Sequence, residues 1–236
     1  MKTTVTCSGG LDSVTLAYKV ARERQLMGLV SFDYAQRHKK ELVFAQKCAE
    51  DLGVPHTLID ISHVGAQLTG SALTDDIDVP EGHYAQESMT ATFVPNRNAI
   101  MLSISYGVAQ AQGVQAVATA VHHGDHYIYP DCRPDFIKSF EAMQYCALEG
   151  LAEIPLYTPF LNKSKADIVA EGERLGVPFS QTWSCYKGGE VHCGRCGTCV
   201  ERREAFDLAG VHDPTEYADP LYWKQAVDKE TSGKVA

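Results

Sequence analysis

Hydrophobic residues over the first three quarters of the chain alternate between two spacings. Residues 3–7 form a short β-rich run that leads into Gly9-Gly10, and residues 11–24 follow with Leu11, Val14, Leu16, Ala17 and Val20 at near-helical intervals. This predicts strand, tight turn, helix. The pattern recurs: 26–32 reads as a mostly apolar strand, 39–52 as an amphipathic helix stopped by Gly53-Val54-Pro55, and 57–61 as a third strand. Residues 97–112, with Ile100, Met101, Leu102, Ile104, Tyr106, Val108 and Ala109, predict a buried helix, and 114–121 another strand. A helix over 136–148, a short edge segment over 155–158 and a helix over 164–175, capped by Ser164 and stopped at Gly176, complete the series. Such alternation predicts an α/β fold, a doubly wound and mostly parallel sheet with helices on both faces. Two polar stretches interrupt it, 62–92 and 122–133, and loops as long as the first usually serve a site. After Pro178 the periodicity breaks down, which divides the chain into a main domain over 1–180 and a cysteine-bearing segment over 181–236 packed on it. Residues 228–236 read as a frayed tail.

At 236 residues the chain can bury a core without covalent staples. Lys and Arg total 21 against 30 Asp and Glu, a formal charge of −9, which argues against a nucleic-acid partner held through its phosphates. Apolar stretches fall short of the ~20 residues of a membrane span, so no membrane partner is expected. The first residues pass directly into glycines without the apolar core of a secretory signal, and the expected location is the cytoplasm. In that reducing compartment eight cysteines point to burial or metal ligation rather than to disulfides. Cys7, Cys48, Cys132 and Cys146 stand singly, whereas Cys185, Cys193, Cys196 and Cys199 crowd together near the end.

Two motifs carry chemistry. Ser8-Gly9-Gly10-Leu11-Asp12-Ser13 stands between the first strand and the first helix, where a doubly wound sheet places its ligand loop. Backbone N–H groups and the positive helix end hold a phosphate there, glycines allow close approach, Ser8 and Ser13 offer hydroxyls, and Asp12 can hold a divalent cation or cap the helix. The loop is neither a Walker loop nor a dinucleotide fingerprint, and an ordinary glycine turn is the plain alternative. The second motif is Cys193-Gly194-Arg195-Cys196-Gly197-Thr198-Cys199, with Cys185 eight residues upstream. Its glycines permit knuckle turns, and four sulfurs make a closed structural zinc site the first choice; an iron–sulfur cluster is the rival, and a redox CxxC pair a third reading. His192 reads as a neighbour of that set rather than a ligand.

Between them lie polar groups at the same sheet edge. Phe32-Asp33-Tyr34-Ala35-Gln36-Arg37-His38 leaves the second strand, Val94-Pro95-Asn96-Arg97-Asn98 opens the long helix, and Asp125, Tyr127, Tyr129, Asp131, Cys132 and Arg133 follow the fourth strand. Lys163 and Lys165 flank Ser164. Each group alone reads as a solvated loop; a sheet of this kind would bring them together.

Ser8 to Ser13 resembles the SGGxDS loop of the PP-loop ATP pyrophosphatases, which form adenylates and release pyrophosphate. In order, that loop, the groups starting at Phe32 and Val94, Tyr129-Pro130-Asp131-Cys132-Arg133-Pro134, Thr182-Trp183-Ser184-Cys185-Tyr186 and the cysteine knuckle are similar to the motifs of the 7-cyano-7-deazaguanine synthase family. The likeness runs over roughly residues 3–220, with Ala35 where the family usually has glycine. It implies a Rossmann-like PP-loop fold with a small C-terminal zinc knuckle. It also implies an ATP-dependent ligase that turns 7-carboxy-7-deazaguanine and ammonium into the nitrile precursor of queuosine through adenylated acid and amide, releasing AMP and pyrophosphate. The same resemblance implies one structural zinc per chain on Cys185, Cys193, Cys196 and Cys199, ATP with Mg²⁺ as co-substrate, and a homodimer. Ser8, Gly9, Gly10, Leu11, Asp12 and Ser13 would hold the phosphates, with Arg37, His38, Asp125 and Arg133 beside the nucleotide and base, and Asp12, Arg97, Asp131 and Lys163 as catalytic groups. Two other readings keep parts of this pattern. A tRNA-thiolating relative would need a sulfur-carrying cysteine and a basic face, and a zinc-ribbon recognition module would need no ATP chemistry.

Overall fold

A computed structural model of the chain describes residues 1–233; residues 234–236, the end of the expected frayed tail, lie outside the described residues. Its centre is β1 (Lys2–Thr6), whose Thr3, Thr4 and Val5 are buried as expected of a strand covered on both faces. Around it lie β2 (Gln25–Asp33), β3 (His56–Asp60), β4 (Ala116–Ala118) and β5 (Leu156–Tyr157), all paired in parallel in the order β3-β2-β1-β4-β5. The chain first winds outward from β1 to β3 and then crosses back to β4. The strand order therefore reverses beside β1, and the crevice at the carboxyl ends of β1 and β4 is where such sheets bind ligands.

Helices cover both faces. One face packs α1 (Leu11–Glu23), α2 (Lys40–Asp51), α6 (Lys165–Leu175) and α7 (Gly197–Ala209) through Leu11, Val14, Leu16, Ala45, Ile168 and Phe206, together with Val5 of β1. The other packs α4 (Arg97–Ala111) and α5 (Pro134–Ala147) through Leu102, Tyr106, Ile137 and Phe140 against Val117 and Leu156. The Ser164 cap of α6 is a full capping box with Asp167, and Gly176 ends that helix at φ +72°. The 62–92 stretch holds a single turn, α3 (Ser62–Gly65), and a 3₁₀ segment, Glu87–Thr92. Gly65 is obligatory there, because a Cβ would sit 1.8 Å from the Tyr34 carbonyl oxygen.

Several elements differ from the sequence reading. The fourth strand keeps only three ladder residues; Thr119 still donates its N–H to the Tyr157 carbonyl at 3.1 Å, and Thr119–Val121 line the crevice. Ile100, Met101, Ile104 and Val108 of α4 are only half-buried. After Pro178 the chain does not stay irregular. Cys196 starts α7, which buries Ala205 and Phe206 in the main core and ends at Gly210 with φ +65°. The expected frayed tail begins within α8 (Tyr222–Gly233), whose Trp223 and Ala226 pack on Val200 of α7. No helix among the described residues is long and apolar enough to cross a membrane.

Candidate active site

The Ser8–Ser13 loop is folded by its own hydroxyls. Ser13 Oγ accepts the Ser8 N–H and lies 3.2 Å from Ser8 Oγ, and Ser8 Oγ accepts the Gly10 N–H. Gly9 takes φ +84°, and a Cβ there would meet the Glu41 carbonyl oxygen at 2.1 Å, so α2 lies directly against the loop. The next three residues open α1, whose first-turn N–H groups have no acceptor within the helix. Together these features form a concave backbone surface suited to an anion.

Around the loop a cleft of about 270 Å³ opens at the reversal point, lined by residues of α1, α2, α4, α6, α7 and the 122–133 and 182–186 segments. On one side, Lys165 Nζ lies 3.0 Å from Asp12 Oδ2 and 2.8 Å from Glu201 Oε2. Burial would raise the Asp12 carboxyl, but Lys165 and His122 outweigh it and hold the group below its ordinary range. Burial likewise opposes the Lys165 charge, and Asp12 and Glu201 more than restore it, so the ammonium is strongly retained. His122 is fully buried; its Nδ1 accepts the Gly124 N–H at 3.1 Å, which leaves Nε2 facing Asp125 at 3.5 Å and Asp12 at 3.8 Å. Asp12 Oδ1 and His122 Nε2 are buried without a hydrogen-bond partner among the described residues.

On the other side, Arg97 opens α4 among aromatic rings. Its guanidinium carbon lies 5.8 Å from the Tyr34 ring and 6.0 Å from that of Tyr129, and Nη1 donates a long 3.4 Å bond to Tyr34 Oη. No carboxylate closes an ion pair with it among the described residues, although Glu41 acts on it from farther off. Burial pushes the Tyr34, Tyr129 and Tyr186 phenols up, so they stay neutral donors. A guanidinium inside an aromatic slot, with no carboxylate partner among the described residues, is a receptor for an anionic group.

The cleft therefore brings together Asp12, Asp125 and Arg97 with the loop, and His38 at its rim. Asp131 stands behind it, accepting the Asn98 N–H at 2.9 Å and so fixing the start of α4. Arg37 is exposed and reaches the Ile77 carbonyl at 2.6 Å and Asp76, tying the 62–92 stretch down. Arg133 is exposed and donates to the His126 carbonyl. Lys163 is exposed outside the cleft, while Lys165, two residues on, points into it. Sequence reasoning did not single out Glu41 or Glu201, whose partners come from distant parts of the chain; it weighed His122, with His123 and His126, as a second metal site and favoured a solvated or substrate-facing role, whereas His122 is buried with its Nε2 toward Asp125 and Asp12.

The four cysteines cluster. Cys185, Cys193, Cys196 and Cys199 present sulfurs within 4.8 Å of one another, the group among the described residues able to hold a metal ion. Cys193 Sγ accepts N–H bonds from Arg195 and Cys196, and Cys185 Sγ one from Cys193, the pattern that stabilises thiolates in a knuckle. Gly194, at φ +77°, packs where a Cβ would meet the Asp219 carbonyl at 2.0 Å. The knuckle reaches the cleft through its neighbours: Trp183 N–H donates to the Gly9 carbonyl at 2.9 Å, and the buried Arg202 of α7 holds Thr182 and Ser184.

Fold and site together define a doubly wound α/β protein with an anion-suited loop and, beside it, a four-cysteine knuckle able to hold a metal. Residues 2–210 match the family model described as queuosine biosynthesis protein QueC, and the chain belongs to that family. It is 68% identical over 228 residues to a 7-cyano-7-deazaguanine synthase of Ruegeria pomeroyi, covering 97% of this chain and 99% of that protein. It is 69% identical to the protein of the same name from Rhizobium meliloti, over 96% of each chain. Among solved structures, an NMN synthetase from Francisella tularensis superposes with a TM-score of 0.50 at 15% identity, covering 89% of this chain and 78% of that one, a likeness of fold alone.

Proposed function

We propose that the chain is an ATP-dependent carbon–nitrogen ligase that converts 7-carboxy-7-deazaguanine and ammonia into 7-cyano-7-deazaguanine, a step in making the queuosine precursor. The observation that carries this reading is one cleft that joins an anion-cradling loop, a lysine between two carboxylates, and an arginine in an aromatic slot with no ion-pair partner among the described residues. The loop residues Ser8, Gly9, Gly10, Leu11, Asp12 and Ser13 cradle the pyrophosphate that leaves, so that charge building on it meets backbone dipoles. Asp12 Oδ1, buried without a partner, fits a Mg²⁺ that would neutralise phosphate charge. Arg97 takes the acid and turns one of its oxygens toward the α-phosphorus of ATP. Lys165 stands beside the loop to meet the negative charge that develops there. Ammonia displaces AMP and loses a proton to give the amide; the amide oxygen attacks the α-phosphorus of a second ATP and expels pyrophosphate, and loss of AMP and both amide protons leaves the nitrile.

Asp131 keeps Asn98 and Arg97 in place, while Asp125 and His38 border the nucleotide. Arg37, Arg133 and Lys163 act at the surface, as cations that draw the two anionic substrates inward. The four cysteines hold a structural zinc, which their all-sulfur, closed arrangement suits. The assembly is a homodimer in the cytoplasm, with domains over 1–180 and 181–236, and no nucleic acid takes part. Mass spectrometry of a reaction with ATP, Mg²⁺, ammonium and the acid tests the proposal. Nitrile accompanied by AMP supports it; an amide that never dehydrates removes the second stage, and absence of AMP rejects the ligase.

A further inference from the structure

Glu41 stands in the first turn of α2 and lines the cleft beside the loop. One carboxylate oxygen accepts from Gln36 Nε2 at 3.3 Å. Gln36 is itself locked: its Oε1 accepts the Tyr34 N–H at 2.9 Å, and its Nε2 also reaches the Phe32 carbonyl at 3.2 Å. Glu41 makes no other hydrogen bond and no ion pair among the described residues; Arg97 acts on it only at longer range. Burial accordingly pushes its carboxyl up to about 7. A half-buried carboxylate with one neutral partner is costly, and none of the described residues uses its free oxygen. It persists where a ligand brings the missing donors.

The surroundings state what kind of ligand. Phe32, Tyr34, Tyr129 and Tyr186 give the slot flat walls suited to a planar heterocycle. Glu41 enters from the face that carries α2, and Arg97 from the face that carries α4, so acceptor and cation approach the slot from opposite sides of the sheet. A guanine-type base has two adjacent donors, N1–H and the 2-amino group, on one edge, and in the acid the carboxylate lies toward the other. The geometry points to Glu41 as the residue that reads the N1–H and 2-amino edge of the deazaguanine, with Gln36 as the positioning residue that aims it. This rests on the function proposed above and adds the determinant that separates a guanine-type base from other planar acids.

Calorimetric binding of 7-carboxy-7-deazaguanine and of its 2-deamino analogue to wild type and Glu41→Gln tests this, with the KM for ATP measured alongside. The wild type is expected to favour the 2-amino compound by about 100-fold, a buried acceptor left unpaired by the analogue being the cause. In Glu41→Gln that ratio should fall to about 3-fold or less through lost affinity for the amino compound, with the ATP KM little changed. Glu41→Asp, which keeps the carboxylate but draws it back, should retain the preference at weaker affinity and guards against a folding defect in the first variant. An unchanged ratio in Glu41→Gln overturns the inference, as does a rise in ATP KM without loss of base affinity, and both leave the ligase intact. A wild type that binds no deazaguanine and forms no AMP overturns the inference and the ligase together.

Discussion

Lys163 and Lys165 lie on either side of the same cap, yet only the second enters the cleft. Ser164 closes a capping box, so Lys165 becomes the first residue of α6 and is carried inward toward Asp12 and Glu201, while Lys163 stays in the preceding turn. That choice was not legible in the sequence, because Glu201 stands 36 positions away and the direction of the helix is set by packing against α1 and α7. Asp12 and Arg97 were legible, since each opens a helix that follows a strand or loop at the carboxyl edge. Lys165→Met should cut AMP formation by about 100-fold or more, and Lys163→Met by no more than about 3-fold, read as AMP released per enzyme with thermal unfolding as the folding control. Equal losses in the two would move the charge-stabilising role elsewhere. Glu41 adds a pH signature. Its native carboxyl titrates near 7 against an ordinary 4.5, under the influence of burial first, then Arg97 and Gln36, with Tyr34 and Cys7 also facing it. Between those values the folded protein holds a proton that the unfolded chain has lost, so this group's contribution to stability falls as pH rises from 4.5 to 7 and is constant above. The urea midpoint of Glu41→Gln relative to wild type should therefore climb across that window; a flat difference would show that Glu41 titrates normally.

At the scale of elements, the knuckle and the phosphate loop are one mechanical unit. Trp183 bonds the backbone of Gly9, Arg202 grips Thr182 and Ser184, and α7 carries Glu201 to Lys165. Arg202 is fully buried, with Asp213 facing its Nε at 3.5 Å, so the clamp lies in a low-dielectric interior where its bonds are strong. Cys193→Ser should lower bound metal and the unfolding temperature, and activity should fall with them, because Trp183 and Ser184 line the cleft. Metal analysis beside a thermal scan checks this; full stability with metal lost would separate the knuckle from the fold. The knuckle's cysteines were readable from their two-residue spacing. The helix behind them was not, since Gly197 and Cys199 occupy its first turn and its buried face, Val200, Ala205 and Phe206, is interrupted by charges that find partners inside. Likewise α8 buries Trp223 and Ala226 against α7 with Tyr222 and Val227 half-buried beside them, too sparse a pattern to distinguish from a tail.

For the whole molecule, alternation of period two and period 3.6 already implied the wound sheet, and the strand order then determines where chemistry gathers. β1 at the centre, with reversal beside it, draws loops from both halves of the chain to one crevice. What the sequence left open was which side of that crevice each loop serves, since this depends on the face on which α2 and α4 pack. The result is a cleft with an acidic and basic cluster at the phosphate loop and an aromatic slot beyond it. Such a division suits a reaction in which first one and then the other carboxyl oxygen is handed to phosphorus. The most direct test is an isotope measurement with 7-carboxy-7-deazaguanine carrying ¹⁸O in both carboxylate positions, with AMP, pyrophosphate and nitrile analysed by mass spectrometry. Two AMP per nitrile, each bearing one ¹⁸O and neither label appearing in pyrophosphate, is the predicted result, because each oxygen leaves bonded to an α-phosphorus. Unlabelled AMP, or ADP and phosphate in its place, would contradict the account.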